Sequence, residues 1–287
     1  MVVLALVLAG CGAQPALPRT GEAPSRAVVG AKVAIVVLEN HAPQDVLGSG
    51  WLARAARRGG RAVNAFGETH PSLGNYLAMI SGSTQGVSDD DVSDGPFAAA
   101  TIVRQLEAAG VSWRAYMDAM PSPCFGRTSD TDETGRYAKR HNPFLFFTDV
   151  TAHPGRCRAR VVPGDRLASD LRHGLSRLTW ISPNLCEDMH DCSVAAGQRW
   201  MQRTLPDVLR GLGPHGVVFV TADEGTDDAH GGGRIPMVAL GPGVRRGAVL
   251  RRAVDHRSLL ATVEDLLGLG RLPATRGVAT LRPLLTG

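Results

Sequence analysis

Residues 33–40 read VAIVVLEN, and residues 217–224 read VVFVTADE. Each stretch is an apolar run, rich in β-branched residues, that ends in a pair of side chains with oxygen donors. Such runs predict buried parallel strands, and ligand sites of open α/β sheets lie at the carboxyl ends of these strands. We therefore expect four donors from distant parts of the chain to meet at one edge of a sheet. These donors are Glu39, Asn40, Asp223 and Glu224.

Further apolar runs alternate with helical patterns along the chain. The runs cover residues 112–117, 178–182, 216–222 and 236–240, and the helical patterns run from Pro96 to Ala109, Ala195 to Leu212 and His256 to Leu267. This alternation predicts an α/β fold, with a mostly parallel central sheet and helices on both faces. A length of 287 residues suffices for one large domain, which we place at residues 28–287. The stretch from Asp118 to Gly164 is polar and weakly periodic, and its length predicts a functional lid.

The charge balance argues against some classes of partner. The chain has 31 basic and 27 acidic side chains, a formal net charge of +4. The basic residues are almost all arginine, and they form no dense run of the kind that marks nucleic-acid or polybasic membrane binding. We therefore expect no nucleic-acid partner, whereas the oligomeric state stays open.

The N-terminus has the pattern of an export signal. Residues 1–8 are apolar and lead into Leu8-Ala9-Gly10-Cys11, which resembles the bacterial lipobox, whose cysteine is lipidated. We predict a signal segment at residues 1–11 and a flexible tether at residues 12–27, rich in Pro, Ala and Gly. The protein would then be a cell-surface lipoprotein or, if the cysteine is incidental, a secreted protein, and it would meet the membrane only through the lipid anchor at Cys11.

Apart from Cys11, four cysteines remain, an even number in a chain predicted to reach an oxidising compartment. Two disulfides are expected, and three connectivities are possible. We favour Cys186 with Cys192, which bracket a short loop, and Cys124 with Cys157, which bracket a long irregular segment. Zinc binding is the weaker alternative, because no Cys-x-x-Cys spacing occurs.

The segment from Thr69 to Gly82 begins with turn formers and continues as an amphipathic helix. Ser72 is expected at or near the N-cap, where free backbone N–H groups and the helix dipole favour a bound anion. A serine hydroxyl held there beside a divalent cation is suited to attack phosphorus. Taken alone, such a serine is usually only a helix cap, so the catalytic interpretation depends on the two acidic strand ends.

Several blocks of sequence together resemble the phosphoesterase family of the alkaline phosphatase superfamily, which includes bacterial acid phosphatases and phospholipases C of the non-haemolytic type. They lie in family order between about residues 31 and 270. The blocks are Val37 to His41, His70 to Tyr76 with Ser81-Gly82, Lys139 to Pro143, Trp180 to Asp191, Thr221 to Gly225, and Val238 to Gly243. The usual family wording has Pro where this chain has Gly74.

The resemblance implies roles for individual residues. It implies that Glu39, Asn40, Asp223 and Glu224 bind a metal ion and that Ser72 is the nucleophile, which forms a phosphoseryl intermediate. Asn75 would hold a phosphoryl oxygen. The remaining contacts to the phosphate and the leaving group would come from His141, Asp188 and His190. We prefer His190 as the general acid, since a histidine titrates near neutrality.

Other interpretations of the histidines stay open. His141 precedes Asn-Pro and an apolar segment, so it is equally well explained as a cap for that segment. His230 is better explained as part of a solvated loop than as a ligand of a second site. His256 is best explained as a capping or packing residue, although the superfamily often has a metal ligand near this position.

Carboxylate and amide oxygens are hard donors, so the predicted site favours magnesium, manganese or calcium over zinc. Whether one or two metals bind is left open, because His190, His230 and Asp188 are further candidate ligands.

The leading hypothesis is a phosphomonoesterase that acts on a small phosphate ester. The aromatic content of 5% gives little material for the large apolar entrance expected of a phospholipase C, the nearest alternative. A non-catalytic metal-binding surface protein is a further alternative. A sulfatase is disfavoured because Ser72-Leu73-Gly74 does not match the Cys/Ser-x-Pro-x-Arg context of that class.

Overall fold

A computed structural model describes residues 31–126 and 130–286, so the predicted signal segment and tether lie outside the described residues. Eight strands of the described ranges form one sheet. They are β1 (Val33–Leu38), β2 (Gly60–Ala62), β3 (Trp113–Met117), β4 (Val161–Pro163), β5 (Leu178–Ser182), β6 (Val217–Ala222), β7 (Met237–Leu240) and β8 (Ala248–Leu250). Their order across the sheet is β4-β3-β5-β1-β6-β7-β2-β8.

The helices within the same ranges separate into two packed groups. They are α1 (Pro43–Leu47), α2 (Gly50–Arg58), α3 (Ser72–Ser81), α4 (Ile102–Ala108), α5 (Thr148–Thr151), α6 (Pro154–Arg160), α7 (Arg166–His173), α8 (Val194–Leu212) and α9 (His256–Leu267). α2 packs against α8, α3 packs against α9, and both α8 and α9 contact β1. No helix among the described residues combines the length and apolar character needed to cross a membrane.

The centre of the sheet is parallel, as the sequence predicts. β1 lies between β5 and β6 and runs parallel to both, and all its side chains are buried. Leu38, the last residue of β1, pairs with Ala222, the last residue of β6. Because both strands end at the same level, the residues that follow them leave the sheet side by side. β7 is antiparallel to β6 and β2, so the sheet is mostly rather than wholly parallel.

Two predicted segments differ from the structure. The helix expected from Pro96 begins only at Ile102, because Thr101 is its N-cap and accepts a hydrogen bond from the Val103 amide at 3.1 Å. The long irregular loop expected between Asp118 and Gly164 is also wrong over much of its length, and a lid function for it stays a prediction. Its second half forms two short 3-10 helices, α5, α6 and β4, and its large apolar side chains are buried. Tertiary burial, not local periodicity, orders this stretch.

The disulfides follow the favoured connectivity. Cys124 pairs with Cys157, and Cys186 pairs with Cys192. With all four thiols oxidised in pairs, none is free to bind zinc. The first bridge ties the segment after β3 to α6, and the second closes the loop that contains His190.

Two glycine-rich loops meet at the edge of the sheet where β1 and β6 end. The Gly67 amide donates to the Gly233 carbonyl at 2.9 Å, and Gly225 donates to Gly232 at 2.8 Å. A Cβ atom on Gly232 would lie 2.5 Å from the Gly67 carbonyl carbon. Only glycine therefore allows the loop after β6 to lie against the loop that leads to Ser72.

We predict that Gly232→Ala destabilises the protein by about 1–3 kcal/mol, because the added methyl group meets rigid backbone. Gly155→Ala is the matched control: it lies within α6, and no atom lies within 4 Å of the new methyl position. The control should stay within ~1 kcal/mol of the wild type. Urea denaturation of both variants measures this, and equal stabilities would contradict the role assigned to the loop contact.

Candidate active site

Glu39 lies at the centre of the candidate site. It directly follows β1 and is completely buried. The Ser72 hydroxyl donates to its Oε2 atom at 3.3 Å, and the Tyr76 hydroxyl donates to its Oε1 atom. Ser72 and Tyr76 are one helical turn apart on α3, so the helix presents both hydroxyls to the same carboxylate.

Asn40 and Asp223 come together as the strand register requires. The Asn40 amide donates to Asp223 Oδ1 at 3.1 Å, with Asn40 in a left-handed backbone conformation at φ 46°. Asn40 Oδ1 and Asp223 Oδ2 are buried without a hydrogen-bond partner. Glu224, the fourth predicted donor, instead contacts the Nδ1 atom of His70 at 2.6 Å.

Ser72 is the first residue of α3 and is buried, and the residue in the N-cap position is Pro71. The Leu73 amide at this end of the helix donates to Asp90 Oδ1 at 2.9 Å. A carboxylate of the chain therefore already occupies this amide. The hydroxyl of Ser72 nevertheless lies at the positive end of the helix.

The side chain of Asn75 is engaged with the loop before the helix. Its Oδ1 atom accepts from the amides of Glu68 at 2.7 Å and Thr69 at 3.1 Å, and its Nδ2 atom donates to the Thr69 carbonyl at 2.8 Å. Asn75 therefore positions the loop that carries His70. A contact between Asn75 and a phosphoryl oxygen stays a prediction.

His141 is buried between two carboxylates rather than serving only as a cap. Its Nε2 atom lies 3.2 Å from Glu39 Oε2, and its Nδ1 atom lies 3.4 Å from Asp188 Oδ2. The ring stacks on Tyr76 with 5.1 Å between ring centroids. Donor atoms of Glu39, His141 and Asp188 all lie within 4.8 Å of one another, close enough to share a metal ion.

His190 lies at the exposed rim of this cluster. Its Nδ1 atom contacts Asp191 Oδ1 at 2.7 Å, and its Nε2 atom contacts an Arg140 Nη2 atom at 3.2 Å. Since a guanidinium only donates, His190 Nε2 accepts in this arrangement and Nδ1 donates to Asp191. The ring centroid is 6.0 Å from that of His141.

The buried carboxylates repel one another. Burial, with the negative charges of Asp223 and Asp188, raises the pKa of Glu39 well above its ordinary value. Burial raises the pKa of Asp188 to about 8, and burial with the charge of Glu224 raises the pKa of Asp223 to about 6. Burial and the nearby Arg140 lower the pKa of His141 well below its ordinary value. The site thus favours a neutral imidazole among acids whose mutual repulsion and burial outweigh the positive charge of Arg140.

These residues fit a divalent cation. The cluster combines partnerless buried oxygens with carboxylates whose charge is costly to bury. His141 Nε2 and Asp188 Oδ2 also lack a hydrogen bond, because their contacts at 3.2 Å and 3.4 Å do not have hydrogen-bond geometry. The sequence predicted an oxygen-only set, whereas the structure adds an imidazole nitrogen, a donor that also suits zinc.

The other two histidines considered above have structural surroundings. His256 is completely buried at the start of α9, with its Nε2 atom 3.0 Å from the Ala222 carbonyl, just before Asp223. It packs beneath the strand end, while Asp255 caps the helix. His230 lies in a loop, with its ring 3.9 Å from that of Phe66 between centroids. Neither belongs to the three-residue cluster around Glu39.

Sequence reasoning assigned no role to Tyr76, Arg140 or His70. Tyr76 was detectable, because it lies four residues after Ser72 and therefore on the same helix face. Arg140 contacts Asp130 and His190 and has a side chain only 12% exposed, but nothing in its local sequence indicates this. The pairing of His70 with Glu224 joins residues 154 positions apart, so only the fold reveals it.

Comparisons with known proteins identify the family of the chain. Residues 31–270 match the model of the Phosphoesterase family. The chain is 30% identical to phosphatidylinositol-3-phosphatase of Mycobacterium tuberculosis over 276 residues, which cover 94% of this chain and 87% of that protein. It is 29% identical to a probable acid phosphatase of Kluyveromyces lactis over 250 residues, 83% of this chain and 59% of the fungal protein.

A solved structure shows the same fold. An alkaline phosphatase superfamily protein from Vibrio parahaemolyticus superposes with a TM-score of 0.59 at 12% identity, covering 85% of this chain and 68% of that protein. The chain belongs to the phosphoesterase family, has an alkaline-phosphatase-like fold and is a hydrolase that acts on phosphoric ester bonds.

We predict that Asp188→Asn changes the pH dependence of stability in a chelating buffer. An unfolded aspartate titrates near ~3.9, but burial raises the pKa of Asp188 to about 8. The folded wild type therefore loses stability as the pH rises from 5 to 8, because folding must hold a proton that the unfolded chain has released. The difference in melting temperature between Asp188→Asn and the wild type should therefore increase in favour of the variant by at least ~4 °C between pH 5 and pH 8.

The exposed neighbour Asp191 supplies the control, as Asp191→Asn should show a much smaller change. Adding manganese at pH 8 should stabilise the wild type more than Asp188→Asn. A melting-temperature difference that is independent of pH and of metal would contradict the electrostatic description of the site.

Proposed function

We propose that this protein is a metal-dependent phosphomonoesterase in which Ser72 attacks phosphorus and a phosphoseryl intermediate forms. The observation that carries the proposal is the hydroxyl of Ser72 at the start of α3, 3.3 Å from the buried carboxylate of Glu39. The names of the relatives, an acid phosphatase and a phosphatidylinositol-3-phosphatase, support the removal of a phosphomonoester.

Glu39, Asn40, Asp223 and Glu224 would hold the metal, and the partnerless Asn40 Oδ1 and Asp223 Oδ2 atoms are its most available ligands. Glu39, His141 and Asp188 form an overlapping set that would bind the same cation or a second one. A bound cation would lower the pKa of the serine hydroxyl and stabilise the phosphoryl oxygens.

The residues of the chain would act as follows. Glu39 Oε2 receives the hydrogen bond of Ser72 and orients the hydroxyl. The Oγ–P bond forms as the hydroxyl proton passes to Glu39 Oε2 and the bond between phosphorus and the ester oxygen breaks, and the leaving oxygen takes up a proton from His190. Water then attacks the phosphoserine, which releases inorganic phosphate and restores Ser72.

His190 is the proposed proton carrier. Asp191 holds its Nδ1 atom, so Nε2 is the atom that would exchange a proton with the leaving oxygen and then with water. For that exchange, Arg140 must release Nε2 and Nε2 must first take up a proton, which is consistent with the exposed position of His190 at the rim. Hydrolysis of a phosphodiester by the same residues is the alternative function, and a comparison of phosphomonoesters with diesters as substrates would distinguish the two.

We also propose an exported protein, with residues 28–287 as the catalytic domain. The two disulfides support this, because such bonds persist in oxidising compartments. Lipidation at Cys11 concerns residues outside the described ranges and stays a prediction.

We expect Ser72→Ala to lower kcat for an aryl phosphate by at least ~10³-fold, because the attacking oxygen is removed. Ser88→Ala is the control, an exposed serine after the same helix that should leave kcat unchanged. Melting temperatures establish that both variants fold. Trapping of ³²P on the wild type at low pH, but not on Ser72→Ala, would support the intermediate, whereas full activity of Ser72→Ala would end the proposal.

Chelation should lower kcat by at least ~100-fold, and a divalent cation should restore it, because the developing phosphoryl charge then regains its counter-charge. Magnesium, manganese, calcium and zinc are to be compared with phosphomonoesters, diesters and phosphatidylcholine. Restoration of activity by magnesium or manganese would favour binding of the metal by Glu39, Asn40, Asp223 and Glu224. Restoration by zinc in the wild type but not in His141→Asn would favour binding by Glu39, His141 and Asp188. Activity that is unaffected by prolonged chelation would contradict a metal-dependent reaction.

A further inference from the structure

The last strand of the sheet, β8, is flanked by two pairs of arginines. Residues 245–252 read RRGAVLRR. Arg245 and Arg246 precede the strand, Arg251 and Arg252 follow it, and all four side chains are exposed. No strand lies beyond β8 within the described sheet, so these residues line its outer edge.

The fold brings more arginines to this edge. α2 carries Arg57 and Arg58 in its last turn, and the Gly247 amide donates to the Arg58 carbonyl at 3.3 Å. Arg61 of β2 pairs with Val249 of β8. Residues 50–66 and 241–254, which build this edge, contain eight arginines and no aspartate or glutamate.

The positive charge of this edge is not neutralised locally. The acidic residues that follow in sequence already bind other arginines: Asp255 lies 2.7 Å from Arg257, and Asp265 lies 2.8 Å from Arg271. None of the eight edge arginines has an ion-pair partner within residues 31–126 and 130–286. The separated pairs, which look sparse in sequence, thus lie along one side of the sheet without acidic partners among the described residues.

An aliphatic side chain lies at the centre of this surface. Val249 is 36% exposed and is the one large apolar side chain that is exposed among the described residues. Charged residues on a short edge strand protect it from pairing with other strands. An exposed valine does not serve that purpose, so edge protection alone does not explain the arrangement.

The orientation of β8 places part of the surface on the same side of the molecule as the candidate active site, four strands away from β1. β6 is parallel to β1, β7 is antiparallel to β6, β2 is antiparallel to β7, and β8 is parallel to β2. β8 therefore runs in the same direction as β1. Arg251 and Arg252 follow the carboxyl end of β8. They therefore lie at the same end of the strands as Glu39 and Asp223, which follow β1 and β6.

We propose that this arginine edge is a docking surface for a bilayer that contains anionic phospholipids. Guanidinium groups bind lipid phosphates bidentately, and an exposed aliphatic residue among them suits the interface between headgroups and acyl chains. A nucleic acid fits less well, because the aromatic residues of these segments, Trp51 and Phe66, are only partly exposed and offer no stacking platform. This surface would add a second membrane contact to the anchor expected at Cys11.

Vesicle cosedimentation tests the docking surface without any need for catalysis. The full chain carries Cys11→Ser, so that no lipid can be attached, and is mixed with phosphatidylcholine vesicles with or without ~30% phosphatidylserine. The edge variant combines R245E, R246E, R251E and R252E. The control variant combines R158E, R166E, R172E and R199E, exposed arginines of α6, α7 and α8, and it carries the same net charge.

The wild type should prefer the anionic vesicles, and salt should weaken this binding. The edge variant should lose affinity for them by at least ~10-fold, and the control variant should retain it. Hydrolysis of a soluble aryl phosphate should be unchanged in both variants, which separates failure of docking from failure of the proposed function.

Equal loss in both variants would overturn the proposal, because net charge alone would then explain binding. Equal binding of the wild type to neutral and anionic vesicles would also overturn it, as would preferential binding to duplex DNA that depends on the same four arginines. If the edge variant does not fold, two milder variants replace it, the double variant R245Q/R246Q and the single variant V249S. Each should bind anionic vesicles more weakly than the wild type and keep the wild-type melting temperature.

Discussion

The structure depends on the parallel pairing of β1 with β6. The pairing ends with Leu38 opposite Ala222, so the chain leaves both strands at the same level and delivers Glu39 and Asp223 to one buried place. A shift of one residue would turn every side chain of a strand to the opposite face. The hydrophobic residues of the central strands, buried on both faces, hold this register, so packing of the core decides where these acidic side chains meet.

Bringing acids together in this way has an electrostatic cost. Glu39, Asp188 and Asp223 are buried close to one another, and their pKa values are raised because burial and mutual repulsion disfavour the charged forms. Hydrogen bonds from Ser72 and Tyr76 offset only part of the cost. The same repulsion makes the site receptive to a cation, so the arrangement that disfavours the charged metal-free protein favours metal binding.

Long strands and helices with a regular apolar pattern could be predicted from the sequence, whereas short strands could not. The central strands and α9 were predicted to within a residue, because their apolar patterns are long enough to be unambiguous. β2, β4 and β8 have three residues each and form only because a neighbouring strand offers hydrogen bonds. His141 was ambiguous for a related reason: its partners Glu39 and Asp188 are distant in sequence, so no local pattern separates a cap from a ligand.

The sequence by itself determined the fold class, the acidic strand ends, the serine at the start of a helix and the family, because these follow from local runs of residues and their order. The tertiary structure alone decided that His141 and Asp188 join Glu39, that Glu224 pairs with His70, and that scattered arginines form one edge. The physical reason is the same in each case. Distances and burial between residues far apart in the chain depend on strand register and helix packing, which no single segment encodes.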